Sequence, residues 1–173
     1  HSFVNISGGC RASHVKGTAN TYINATDTTM DVAQALYGGN DFGGTVANSN
    51  LVVRGGRYTN IYGAGNGDYN YYADPAITAL PGGTQIDTVP VSQRVRTTIY
   101  NAHVIRNAYG GSNMGYVMTD SAYHSNVADY ARIELNVHGG MFERSIFTGS
   151  HGKAGGNQLA FALKQFNMDG GKV

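Results

Sequence analysis

The chain has 173 residues but no tryptophan, one cysteine and three prolines, and only 13% of its residues are charged. Each shortage excludes something. With Cys10 as the only thiol, no intrachain disulfide can staple the fold. Cys10 has only Arg11 as a cationic neighbour in sequence, so it reads as a small structural residue, not a reactive one. The charged fraction is about half of the roughly 25% usual for soluble domains. The net charge is +1 and no basic run is present, which argues against nucleic acid or an anionic membrane surface as partner. No apolar run reaches the length of about 18 residues that a membrane-spanning helix needs, so no membrane insertion is expected. No secretory leader pattern opens the chain. Helical periodicity is nearly missing too. Residues 32–36 and 159–166 have helix propensity, but the second stretch runs into a repeated strand phrase.

What is abundant is glycine, 25 residues, and a short phrase that recurs six times: apolar, polar, apolar, any residue, then often Gly-Gly. The clear copies are Val4-Asn5-Ile6-Ser7-Gly8-Gly9, Leu51-Val52-Val53-Arg54-Gly55-Gly56, Leu135-Asn136-Val137-His138-Gly139-Gly140 and Phe166-Asn167-Met168-Asp169-Gly170-Gly171. Ile23-Asn24-Ala25-Thr26 and Tyr100-Asn101-Ala102-His103 read as copies without the glycines. A second phrase follows: Leu36-Tyr37-Gly38-Gly39-Asn40, Ile61-Tyr62-Gly63-Ala64-Gly65-Asn66, Ala108-Tyr109-Gly110-Gly111-Ser112-Asn113 and a worn Ile146-Phe147-Thr148-Gly149-Ser150-His151. Period-two alternation marks strands with one buried face. Glycine permits positive φ at corners, and Asn tolerates it, so Asn40, Asn66 and Asn113 are expected to turn the chain.

Fixed-order repetition predicts a solenoid whose coils bury their apolar faces only by stacking. The expected fold is all-β: a single domain over residues 1–173 forming a single-stranded right-handed parallel β-helix of about six coils. Solenoids need capping coils and neither end reads as one, so the expectation is an uncapped segment of a longer protein. Residues 67–96 and 114–132 are expected as inserted loops projecting from coil corners. Stacking predicts an aromatic ladder of Tyr37, Tyr62, Tyr109 and Phe147, and an amide ladder of Asn5, Asn24, Asn101, Asn136 and Asn167.

Catalytic chemistry has little to stand on. Nine Asp and two Glu leave few candidates for an acid/base pair. Asp41 and Asp68 both follow the Gly-Asn corner; they read as turn residues or, alternatively, as a carboxylate pair or Ca²⁺ ligands. The six histidines show no metal-ligand spacing, although His103 and His138 fall in one slot of the first phrase. No cofactor and no metal is expected. Binding has better candidates. Tyr69, Tyr71, Tyr72, Tyr116, Tyr123 and Tyr130 crowd the two insertions, where an aromatic face with a polar tip suits sugar rings or a protein surface. Arg57 and Arg106, after the turns of the first phrase, form a solvated stripe or a stripe for an acidic glycan.

The alternation of the two phrases resembles the repeats of large adhesin-like, Gly/Asn-rich surface proteins of Bacteroidota. That resemblance covers most of the chain outside the insertions. It implies a secreted, elongated parallel β-helix and carries no catalytic residues over. The expected function is a non-enzymatic structural or adhesive module at the cell surface or outside the cell. It would bind glycans or a partner surface, or stack end to end as a filament. The alternative is a carbohydrate-active β-helix, a polysaccharide lyase or tailspike-like depolymerase.

Overall fold

The computed structural model describes residues 1–26, 29–68, 90–118, 131–152 and 160–172. Within them the elements are β1 (Ser2–Ser7), β2 (Val15–Ile23), β3 (Asp31–Tyr37), β4 (Thr45–Val53), β5 (Arg57–Tyr62), β6 (Val91–Ile99), β7 (His103–Val104), β8 (Ala108–Tyr109), β9 (Tyr116–Val117), β10 (Arg132–Val137), β11 (Met141–Phe142), β12 (Ile146–Phe147) and β13 (Leu163–Met168). Apolar residues recur at alternate positions, so β10 reads exposed, buried, half-buried, buried along its length. That is what a strand with one face on a core requires. Every pairing between these strands is parallel.

The strands divide between two sheets. One has the order β1-β3-β5-β7-β11, with β8 and β12 continuing β7 and β11; the other has the order β13-β10-β6-β4-β2, with β9 beside β6. The expectation of a single-stranded parallel β-helix of about six coils is therefore corrected. Two separate parallel sheets are found, each five strands deep along its main path. The cause lies in the phrases. Val4–Gly9 resembles Leu51–Gly56, but β1 pairs with β3, setting Ile6 against Leu36 and Ser7 against Tyr37. It belongs with the second phrase. Alternation closed by Gly-Gly fits either sheet, so the phrase alone does not choose between them.

The two inner faces make one core. Val32, Leu36, Tyr58, Ile61, Val104 and Phe142 from the first sheet pack with Leu51, Val53, Ile99, Leu135 and Val137 from the second. Where the Tyr-Gly-Gly corners approach the second sheet, the inward positions shrink to hydroxyls. A Cβ built on Gly63 would lie 2.2 Å from Thr97 Oγ1 and 2.2 Å from the Gly110 carbonyl oxygen of the next rung. Gly38 is in the same position, 2.2 Å from the Gly63 carbonyl oxygen and 2.7 Å from Ser49 Oγ. These glycines are there for closeness of approach. Gly63→Ala should lower unfolding free energy by about 1–3 kcal/mol, the usual cost of overpacking, in a urea titration. An unchanged midpoint would show that the rungs can spread.

The expected corner role of asparagine is also corrected. Among the described non-glycine residues only Met114 has positive φ, at 54°. Asn40, Asn66 and Asn113 are instead buried with their amides turned inward. His151 Nδ1 donates to Asn113 Oδ1 at 2.8 Å, Asn113 Nδ2 to Asn66 Oδ1 at 3.0 Å, and Asn66 Nδ2 to Asp41 Oδ1 at 3.3 Å. The amide ladder runs here. Of the five asparagines expected to form it, only Asn136 and Asn167 are linked, with Nδ2 of Asn167 donating at 2.7 Å. Asn5 holds Gln34 and the backbone N–H of Ala35, while Asn24 and Asn101 lie exposed beyond strand ends. The expected insertions are narrower than their sequence limits. Residues 91–96 belong to β6, 116–117 to β9 and 132 to β10, while 69–89 and 119–130 fall outside the described residues.

Candidate functional site

The tyrosine-rich insertions place little on the described surface. Tyr69, Tyr71, Tyr72, Tyr123 and Tyr130 lie outside the described residues, and Tyr116 is half-buried in β9. Arg57 stands opposite His103 and pairs with Asp31 at 3.1 Å, whereas Arg106 lies further along, its backbone N–H on the Thr59 carbonyl. The two arginines do not share a slot. Asn66 links Asp41 and Asp68, donating to the Asp41 carboxylate and accepting from the Asp68 N–H, each at 3.3 Å.

The aromatic column stacks. Tyr37 and Tyr62 have ring centroids 5.2 Å apart, Tyr62 and Tyr109 5.0 Å, and Tyr109 and Phe147 5.0 Å. This spacing is the strand spacing of the sheet, so backbone pairing sets the stack. Desolvation pushes the Tyr37 hydroxyl up to about 12 and raises Tyr62 and buried Tyr58 further. A raised phenol favours the neutral form in the fold. Its stabilisation is complete below the ordinary tyrosine value of about 10 and is lost as pH rises through the folded value. Alkaline titration should therefore show the last part of the tyrosinate absorbance, that of the buried phenols, rising together with loss of the β circular-dichroism signal, well above pH 10. Complete tyrosine ionisation with the β signal retained would contradict this.

A second column is open to solvent. It follows the last residue of each strand in the second sheet. The N–H groups of Arg54, Tyr100, His138 and Asp169 donate to the carbonyls of Ile23, Val53, Ile99 and Val137, so the four occupy one position on successive rungs. The Arg54 guanidinium lies 4.2 Å from the Tyr100 ring centroid. Tyr100 and His138 stack at 5.0 Å, and His138 Nδ1 meets the Asp169 carboxylate at 2.8 Å. Cation, phenol, imidazole and carboxylate form an unbroken rail. The rings cover one another's faces, leaving their polar edges to water.

Beyond the turn runs a parallel column of Asp31, Arg57, His103, Met141 and Lys172, fixed by the register of the first sheet. His103 Nε2 lies 2.7 Å from Glu143 Oε1. Between the columns Gly55, Gly56, Asn101, Ala102, Gly140 and Gly171, with His103, Met141 and Lys172 of the second column, line an open groove of about 480 Å³; its floor is small except at Asn101. The floor is small for packing reasons. A Cβ on Gly55 would sit 2.1 Å from the Ala25 carbonyl oxygen, and one on Gly140 2.7 Å from that of Ala102. Gly56, Gly140 and Gly171 add the positive φ of the turn, 92°, 113° and 103°. The groove is thus a by-product of stacking, and its two rims are where side chains are free to vary.

No known family, curated protein or solved structure matches the chain. The groove is accordingly read from its own chemistry. Among the described residues no group of three or more His, Cys, Asp or Glu could hold a metal ion. No described helix is long and apolar enough to cross a membrane.

The rail was partly legible. Aligning Leu51–Gly56, Leu135–Gly140 and Phe166–Gly171 on their glycine pairs already stacks Arg54, His138 and Asp169. Tyr100 was hidden because the phrase lacking glycines begins at Thr97, not Tyr100: Thr97, Thr98 and Ile99 pair with Leu135, Asn136 and Val137. The same shift separates His103 from His138, which stand on opposite rims.

Proposed function

We propose that this chain is a non-enzymatic structural and adhesive module of a bacterial cell-surface or secreted protein, and that it holds a glycan along the groove. The observation that supports this reading is the exposed Arg54–Tyr100–His138–Asp169 rail beside a glycine floor. Sugars are bound by planar polar groups held rigidly at their edges. Here rigidity comes from two hydrogen-bonded sheets, so little side-chain entropy remains to be lost on binding. Paired cations and carboxylates supply both donors and acceptors, which hydroxyl-rich ligands require.

A glycan array probed with the purified chain tests this. Binding is expected, and Tyr100→Ala, which removes the centre of the rail, is expected to abolish it while the circular-dichroism spectrum is retained. Binding indifferent to Tyr100→Ala would move the site elsewhere. The carbohydrate-active alternative has one observation in its favour: two imidazole–carboxylate pairs, His103–Glu143 and His138–Asp169, flank one groove. Shortened glycans after prolonged incubation would favour it over adhesion.

A further inference from the structure

Resting on that reading, we infer that the groove takes a neutral, extended, β-linked polysaccharide lying parallel to the stacking direction, with one sugar per rung. The first ground is period. The rail repeats at the strand spacing, about 4.8 Å, and its Tyr100 and His138 rings are 5.0 Å apart. That step is comparable with the advance per residue of an extended β-1,4-linked pyranose chain, so successive sugars meet equivalent positions without drifting out of register. A coiled α-1,4-linked chain does not keep that register.

The second ground is direction. Both rims run along the stack: Arg54, Tyr100, His138 and Asp169 on one side, and Arg57, His103, Met141 and Lys172 on the other. Glycines floor three of the four rungs between them, and Asn101 and Ala102 floor the fourth, where the Asn101 amide adds a polar group to the path. A ligand laid along the groove meets four rungs, and one laid across it meets one.

The third ground is charge. The rims carry three carboxylates, each partnered: Asp31 with Arg57 at 3.1 Å, Glu143 with His103 at 2.7 Å and Asp169 with His138 at 2.8 Å. Arg54 and Lys172 complete three permanent cations with Arg57, so the two signs balance and alternate. Such a surface offers hydroxyls donors and acceptors in turn. It gives no net attraction to a polyanion, whose charges would pass Glu143 and Asp169 as well as the cations.

The test is a length series by isothermal titration calorimetry on the whole chain. Cello-oligosaccharides and β-1,4-manno-oligosaccharides of one to six sugars are compared with malto-oligosaccharides and with β-1,4-linked mannuronate oligomers. Affinity for one or both neutral β-1,4 series should climb with length up to four sugars and then level. The malto series should stay weak at every length. His138→Ala, which breaks the rail in its middle, should cut the affinity of the four-sugar ligand by about tenfold or more, the worth of one hydrogen bond to a charged or paired group. The same change should leave the affinity of a single sugar nearly unaltered. Length-independent affinity, or malto-oligosaccharides binding as well as β-1,4 chains, would overturn the axial register and leave glycan adhesion standing. Tighter, salt-sensitive binding of the mannuronate series would overturn the neutral ligand and leave adhesion standing. Failure of every glycan would overturn both this inference and the adhesive reading beneath it.

Discussion

Asn40→Asp is expected to cost about 3–5 kcal/mol at neutral pH, the penalty for an uncompensated buried charge and a large share of the roughly 5–15 kcal/mol that usually holds a domain folded. The native amide is completely buried. Its Nδ2 donates to the Ser13 carbonyl at 2.7 Å and the Gly43 carbonyl at 2.8 Å, and its Oδ1 accepts from the Cys10 N–H at 2.8 Å. Three backbone groups from one corner and the rung before it are thereby satisfied by one side chain. A carboxylate keeps the acceptor and turns a second oxygen on two carbonyls, losing both donations and adding repulsion. The new acid would have a raised folded-state value, so the charge penalty should shrink as pH falls through that value and be gone below about 4, where the unfolded chain is also protonated; the single O–H then restores one of the two donations. Urea midpoints at neutral and acid pH measure both effects. Equal stability at the two pH values would show the carboxylate reaching solvent.

Tyr58→Ala should cost about 3–5 kcal/mol, as large aromatic truncations in cores do. Tyr58 is fully buried and sits on β5 between Val32 of one neighbouring strand and Val104 of the other. Its hydroxyl donates to the Gly55 carbonyl at 2.7 Å, inside the turn that follows Arg54. Tyr58→Phe separates the two roles. It keeps the ring and orphans one buried carbonyl, for about 1–3 kcal/mol. Denaturation midpoints give the two costs. The Phe variant should also weaken glycan binding, because that hydrogen bond ties the groove floor to the core. Unchanged binding in the Phe variant would show that the turn is held by backbone pairing alone.

Much of the fold was written in the glycine-marked phrases. Tyr37, Tyr62, Tyr109 and Phe147 align on Gly38, Gly63, Gly110 and Thr148, and their rings stack accordingly. Strands without such markers were obscured by inward polar residues. Ser49, Ser92, Thr97 and Thr21 are buried because glycine corners approach them from the other sheet, and this breaks the apolar alternation that sequence reading relies on. The division into two sheets was illegible for a related reason: β1 carries the phrase of one sheet and pairs in the other. At the site, Arg54, His138 and Asp169 were alignable. Tyr100 was not, since no glycine pair follows it. The tyrosine-rich insertions stood out by aromatic content alone, and five of their six tyrosines lie outside the described residues.

The rail exists only in the register that puts Tyr100 beside His138. The sequence phrases would instead set Tyr100 against Leu135. Paired cysteine substitutions in a Cys10→Ser background decide between them, since only neighbouring positions on adjacent rungs fall within disulfide reach, about 4.4–6.8 Å between Cα atoms. Mild oxidation should cross-link Tyr100→Cys with His138→Cys and leave Tyr100→Cys with Leu135→Cys as free thiols, read by mass spectrometry of non-reduced peptides. Cross-linking of the second pair and not the first would contradict the rail and the function built on it.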